Sequence, residues 1–143
     1  MTELPNPALI LILGGALLPL LPEVVRRWST LALPVLATGV LLLLPFVYYG
    51  QIHFLGYALV TLRLDSLSFV FALIFHIAAF LTALYAWHVR DTVQQVAALI
   101  YGGAAIGAVL AGDLITLFVF WELTAISSVF LILARGTERA FRA

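Results

Sequence analysis

Apolar residues fill this chain in five long blocks, separated by short polar interruptions. A helix rising 1.5 Å per residue needs about 20 apolar residues to cross the hydrocarbon core of a bilayer. The blocks at 4–21, 28–49, 66–87, 92–111 and 114–134 meet or approach that length and predict five transmembrane helices. The first is short, contains Pro19 and ends against Pro22. A cleaved signal peptide is the alternative for it, but residues 1–7 carry Glu3 and lack the basic n-region such a signal needs, so a retained helix is expected. His88-Val89-Arg90-Asp91 joins the third and fourth blocks and Gly112-Asp113 the fourth and fifth. Links this short force antiparallel neighbours. The long interruption at 50–65 is rich in aromatic and β-branched residues around Gly56, which predicts a short β-hairpin or strand capping one membrane face. Asp65, followed by Ser66, and Asp113 stand where N-caps of the third and fifth helices belong. The expected architecture is therefore an all-α integral membrane protein, a single membrane domain over 1–143 with a polar tail at 135–143.

Composition narrows the function classes. The chain is 64% hydrophobic and 10% charged, where a soluble domain carries about 25% charged residues, so a bilayer is the expected solvent. Zero net charge removes any bulk attraction to nucleic acid. With no cysteine, disulfides, thiolate metal sites and cysteine nucleophiles are excluded. The three histidines, His53, His76 and His88, have no metal-ligand spacing, so no metal and no cofactor are expected. The glycines of the fourth block lie inside an apolar run rather than in a phosphate loop, and no Ser-His-Asp arrangement is visible. No nucleotide motif or soluble catalytic domain is visible either. If the helices alternate, Arg26, Arg27, Arg90, Arg135, Arg139 and Arg142 fall on one side and only Arg63 on the other. The positive-inside rule then sets the N-terminus outside and the C-terminus in the cytoplasm, with Trp28, Tyr48, Tyr49, Tyr85 and Trp87 as interfacial aromatics.

Glu122 is the residue of most interest. It lies about eight residues, or roughly 12 Å, inside the fifth block. A charged side chain at mid-membrane costs about 2.5–3.5 kcal/mol on insertion scales and usually marks an ion or proton path. Its helical face holds Ile115, Phe118, Val119, Ala125, Ile126, Val129 and Leu133, all apolar, while Thr116, Thr124, Ser127 and Ser128 project elsewhere. Its partner must come from another helix or from water. The competing reading is a protonated carboxyl hydrogen-bonded between helices for packing alone, a contact worth about 0.6 kcal/mol. His76, central in the third block, is a second, weaker candidate for proton transfer; a neutral histidine bonded to a neighbouring helix is its alternative. Gly103 and Gly107, with Ala104, Ala108 and Ala111, form a small-residue stripe for close helix packing and predict a central fourth helix.

The run from Asp113 to Ser128, DLITLFVFWELTAISS, resembles the fifth-helix signature of the antiporter-like subunits, the membrane-arm proteins of respiratory complex I and of the Mrp-type multisubunit cation/proton antiporters. Its Trp121-Glu122-Leu123-Thr124 core, followed by Ser127-Ser128, looks most like the large A-type component of the Mrp systems. Arg63-Leu64-Asp65-Ser66-Leu67-Ser68 is similar to the family's start of the third helix, and 135–142 resembles the turn leading to the sixth. The resemblance implies that Glu122 takes part in proton transfer, paired with a lysine on a later helix. This sequence has no lysine and far fewer helices than the family. The expectation is the N-terminal portion of a split or truncated antiporter-like subunit, moving protons and a monovalent cation, sodium or potassium, across a bacterial or archaeal cytoplasmic membrane. A partner chain in the same multisubunit assembly would supply the remaining helices and the lysine. The alternatives are a structural or assembly subunit that conducts nothing, and a membrane-arm module of a redox-driven proton pump.

Overall fold

The computed structural model describes residues 5–46, 48–134 and 136. It contains five helices and one two-stranded sheet. Helix α1 spans Pro7–Leu17 and continues as a 3-10 turn, Leu18–Leu20. Asn6 caps it by accepting from the Ala8 amide, and Pro7 supplies a first-turn residue that needs no amide partner. Helix α2 is Glu23–Leu43, α3 Ser66–Tyr85 with a following 3-10 turn at Ala86–His88, α4 Thr92–Leu110 and α5 Leu114–Leu133. Strands β1 (Tyr48–Phe54) and β2 (Tyr57–Arg63) pair antiparallel between α2 and α3.

The second helix departs from the expected 28–49. It begins five residues earlier, because Pro22 holds an extended N-cap and Glu23 sits favourably at the positive end of the helix dipole. It ends at Leu43, because Pro45 pushes Leu44 out of the helical region to ψ 126°. Tyr48 and Tyr49 consequently belong to β1, and Arg26 and Arg27 to the first turns of α2. The tail at 135–143, with Arg135, Arg139 and Arg142, lies outside the described residues apart from Gly136.

Among the described residues, three helices are long and apolar enough to cross a membrane: residues 66–88, α4 and α5. α1 with its 3-10 turn is a shorter apolar helix. Large apolar side chains such as Leu67, Phe118 and Leu114 lie exposed along α3 and α5, as expected where lipid rather than water is the surrounding solvent.

Helix α4 forms the middle of the bundle. It packs against α1, α3 and α5, and Ala104, Ile106 and Leu110 are fully buried. Small residues set these approaches. A Cβ at Gly103 would lie 2.9 Å from the Ala8 carbonyl oxygen of α1, and one at Gly107 would lie 2.5 Å from the Phe120 ring of α5. The hairpin is tied to the bundle rather than standing free. Leu62 and Leu64 enter the core, Asn6 Nδ2 donates to the Thr61 carbonyl, and the Gly112 amide donates to the Val60 carbonyl. Its two-residue turn, Leu55-Gly56, has positive φ at both positions, the mirror-image turn that matches strand twist.

Candidate functional site

Helix α5 begins at Asp113, whose carboxylate accepts the Thr116 amide at 2.8 Å and the Thr116 hydroxyl at 2.7 Å. The same carboxylate accepts the Val60 amide of β2 at 2.7 Å. One aspartate thus fixes both the start of α5 and its position against the hairpin. Partial burial pushes the Asp113 carboxyl up, but the hydrogen bonds from Thr116, Val60 and Ile115 outweigh it and hold the group below its ordinary value. The cap position is legible in the sequence; the link to Val60 is non-local and leaves no signal there. At α3, Asp65 plays the corresponding part in a reciprocal capping box with Ser68. The Ser68 amide and hydroxyl, aided by Arg63 at 2.9 Å, hold the Asp65 carboxyl low.

From Asp113 the helix carries Glu122 to its ninth position, roughly 12 Å from the start of the helix. The inner face of α5 is marked by buried Thr116 and Ser127, eleven residues and three turns apart. Glu122 lies roughly 120–140° around the helix from that face at 100° per residue. It is exposed on the outer side, among Ile115, Phe118, Val119, Ile126 and Val129, which are likewise exposed. No hydrogen bond or ion pair reaches Glu122 from any described residue. The helix's own hydroxyls are committed elsewhere. Thr124 donates to the Phe120 carbonyl, Ser127 to Leu123 and Ser128 to Ala125.

His76 occupies the opposite setting. It is the eleventh residue of α3 and fully buried, on the face that includes Ala72. Nδ1 lies 2.7 Å from the Ala72 carbonyl, an acceptor, so the proton belongs on Nδ1 and the lone pair on Nε2. Nε2 is buried and has no partner among the described residues. α3 packs on α2 and α4, and α5 on α4. No described hydrogen bond joins His76 to Glu122. The two candidate proton-transfer groups are therefore not directly linked within these five helices. No group of three or more metal-ligating side chains occurs among the described residues.

A second feature has no counterpart in the sequence pattern. A cavity of about 460 Å³ lies between the first turns of α2, the second half of α3 and the first half of α4. The Arg27 guanidinium carbon sits 4.6 Å from the centre of the Trp87 ring beside it. Arg27 and Trp87 stand 60 positions apart and Arg26 and Gln95 69, so periodicity along one helix cannot find the mouth of the cavity.

No protein-family model matches the chain. Over 77 residues, half of this chain, it is 42% identical to a Rhizobium meliloti protein described as a probable K(+)/H(+) antiporter component of A/B type. It is 39% identical over 77 residues to the antiporter protein mnhA2 of Staphylococcus epidermidis. The matched segments make up 8% and 10% of those two proteins, so the chain spans only a small part of the length of the curated relatives it matches. The resemblance to Mrp-type antiporter proteins thus has the support of sequence similarity, over half of the chain, to two antiporter proteins.

Proposed function

We propose that this chain contributes the first membrane helices of an antiporter-like subunit that moves protons in exchange for a monovalent cation within a multisubunit membrane complex. The observation that supports this most directly is Glu122. It is a carboxyl near the middle of an apolar helix, presented on an exposed apolar face with no partner among the described residues. A carboxyl in that position is costly, and a docking helix carrying a base or a cation would repay the cost on assembly. The sequence has no lysine and the ion pairs among the described residues do not include Glu122, so in this reading the partner comes from outside these five helices. α1 and α2 complete a set of five spans in this reading. The arginine-bearing ends of α2 and α4 then face the cytoplasm, with the N-terminus outside. His76, with its free Nε2 lone pair, is a candidate relay between neighbouring helices.

The test is Glu122→Gln, which keeps size and hydrogen bonding and removes titration. The chain is expressed with the membrane proteins encoded beside it, and cation-dependent proton flux is measured in vesicles. The expected result is normal assembly with flux reduced at least about a hundredfold, within the range for loss of a proton-transfer group. Unchanged flux in a fully assembled complex would overturn the proposal. Loss of assembly would favour the structural reading of Glu122 as a packing residue.

A further inference from the structure

The cavity beside Arg27 is amphipathic along its length. At its mouth stand Arg27 and, just outside, Arg26, with Trp87 and Trp28 in edge-to-face contact 5.2 Å apart. Its inner part is walled by Phe75, Ala79, Gly102, Ala105 and Leu131. The α3 residues that line it run from Phe75 to Ala83, eight steps along the helix, so the channel follows the helix axis for roughly 12 Å. A site of this volume and lining, with a few polar groups converging at one end, is what a ligand pocket ordinarily looks like.

The electrostatics at the mouth are incomplete. Arg27 donates through one terminal nitrogen to the Trp87 carbonyl at 3.3 Å, while its Nε is buried with no partner among the described residues. Arg26 Nε donates to Gln95 Oε1 at 3.1 Å, and Gln95 in turn donates to the Val89 carbonyl. Neither arginine has a carboxylate within ion-pair distance among the described residues; the ion pairs found there are Arg63–Asp65 and Arg90–Glu23. Two uncompensated guanidinium groups therefore meet an apolar channel at a ring of interfacial aromatics. An occupant that answers both features carries a negative headgroup and a hydrocarbon tail.

We propose that this cavity is a binding site for one anionic phospholipid, its phosphate on Arg27 and Arg26 and one acyl chain running along the channel of α3 and α4. Arg27 is held over Trp87 and so is set in place before the lipid arrives. Small side chains at Ala79, Gly102 and Ala105 leave the room for the tail. A Cβ added at Gly102 would only touch Ala79 at 3.5 Å, so the glycine is not needed for helix approach, and a larger side chain there would enter the channel.

The full chain is purified, exchanged into nanodiscs of equal dioleoyl phosphatidylglycerol and dioleoyl phosphatidylcholine, and extracted with mild detergent. Retained lipid is then counted by native mass spectrometry. The expected result is one tightly retained phosphatidylglycerol, favoured over phosphatidylcholine by about fivefold or more, the preference that about 1 kcal/mol per interfacial arginine gives. Arg27→Gln should lower the preference by about fivefold, the share of one arginine, and Arg27→Lys should restore most of it. Gly102→Leu should lower retention of both lipids by filling the channel. Equal retention of the two lipids by the unchanged chain overturns the proposal. So does undiminished retention in Gly102→Leu, or expulsion of the lipid when the neighbouring membrane proteins assemble, which would give the cavity to a partner helix.

Discussion

Buried and exposed polar groups in the membrane-spanning helices are left unmatched in different ways, and the difference decides what each substitution should do. Glu122 faces outward and can be completed by a partner arriving from outside. His76 faces inward, where its Nε2 acceptor has already lost water without a described protein partner in exchange. An unmet buried acceptor costs about 1–3 kcal/mol, while the Nδ1 bond to Ala72 returns about 1 kcal/mol. His76→Leu, which preserves much of the volume and drops both, is therefore expected to raise the stability of the chain by about 1 kcal/mol in a denaturant titration in bicelles. If His76 also relays protons, the same variant will lose flux in the assembled complex while gaining stability. A loss of stability would instead reveal that Nε2 is bonded in the native protein, and would remove the relay role's structural basis. The exposed apolar stripe that surrounds Glu122 could be read directly, since it follows from spacing along one helix. Which way that stripe faces could not, because the answer depends on where α4 packs.

Beyond their lateral packing the elements are also joined at their ends, and Asp113 is the clearest such joint. It caps α5 through Thr116 and holds β2 through Val60. Asp113→Ala removes a cap worth about 0.5–2 kcal/mol and also strands the Val60 amide, so a total near 2–3 kcal/mol is expected. The folded-state pKa of Asp113 is depressed, so its contribution is present above the unfolded value and is lost as pH falls below about 4 through the folded one. The wild type should accordingly lose stability on acidification through that window, and Asp113→Ala should lose less; parallel acid limbs for the two would show that the carboxylate is not the group responsible. Local signals of this kind explain what the sequence shows readily. The hairpin is marked by Gly56 between β-branched runs, and the helices by uninterrupted apolar blocks. The start of α2 is hidden because Glu23, Arg26 and Arg27 look like a polar loop, although Glu23 is well placed in the first turn at the positive end of the helix dipole. Its end is misjudged where apolar Phe46 to Tyr49 continue past Pro45; the proline decides, not the hydropathy. The Arg27 cavity has no local signal, since it forms only where the start of α2 packs against the α3–α4 pair, with partners 60 and 69 positions further along the chain.

At the scale of the whole molecule, α4 transmits position between the short first helix and the helix that carries Glu122. The two glycines that allow this are not equivalent. A methyl at Gly103 would meet the Ala8 carbonyl and Leu11 Cβ at 2.9 Å, both fixed to the α1 backbone, so the whole helix must move. A methyl at Gly107 would meet the Phe120 ring at 2.5 Å, which can turn about its own side-chain bonds. Overpacking costs about 1–3 kcal/mol, and rigid neighbours place a site at the upper end of that range. Gly103→Ala is thus expected to destabilise the chain by about 2–3 kcal/mol and Gly107→Ala by about 1 kcal/mol, measured by denaturant unfolding in bicelles. Function should show the reverse order. Phe120 stands two residues before Glu122, so a displaced ring shifts the segment of α5 that presents the carboxyl to its partner, and geometry errors of about 1 Å at such sites cost about a hundredfold in rate. Gly107→Ala should then reduce proton flux in the assembled complex by more than its small stability loss accounts for, whereas Gly103→Ala should affect flux only through the amount of complex formed. If the two variants reduce flux in simple proportion to stability, α4 is a passive spacer and the placement of Glu122 is set by the partner alone.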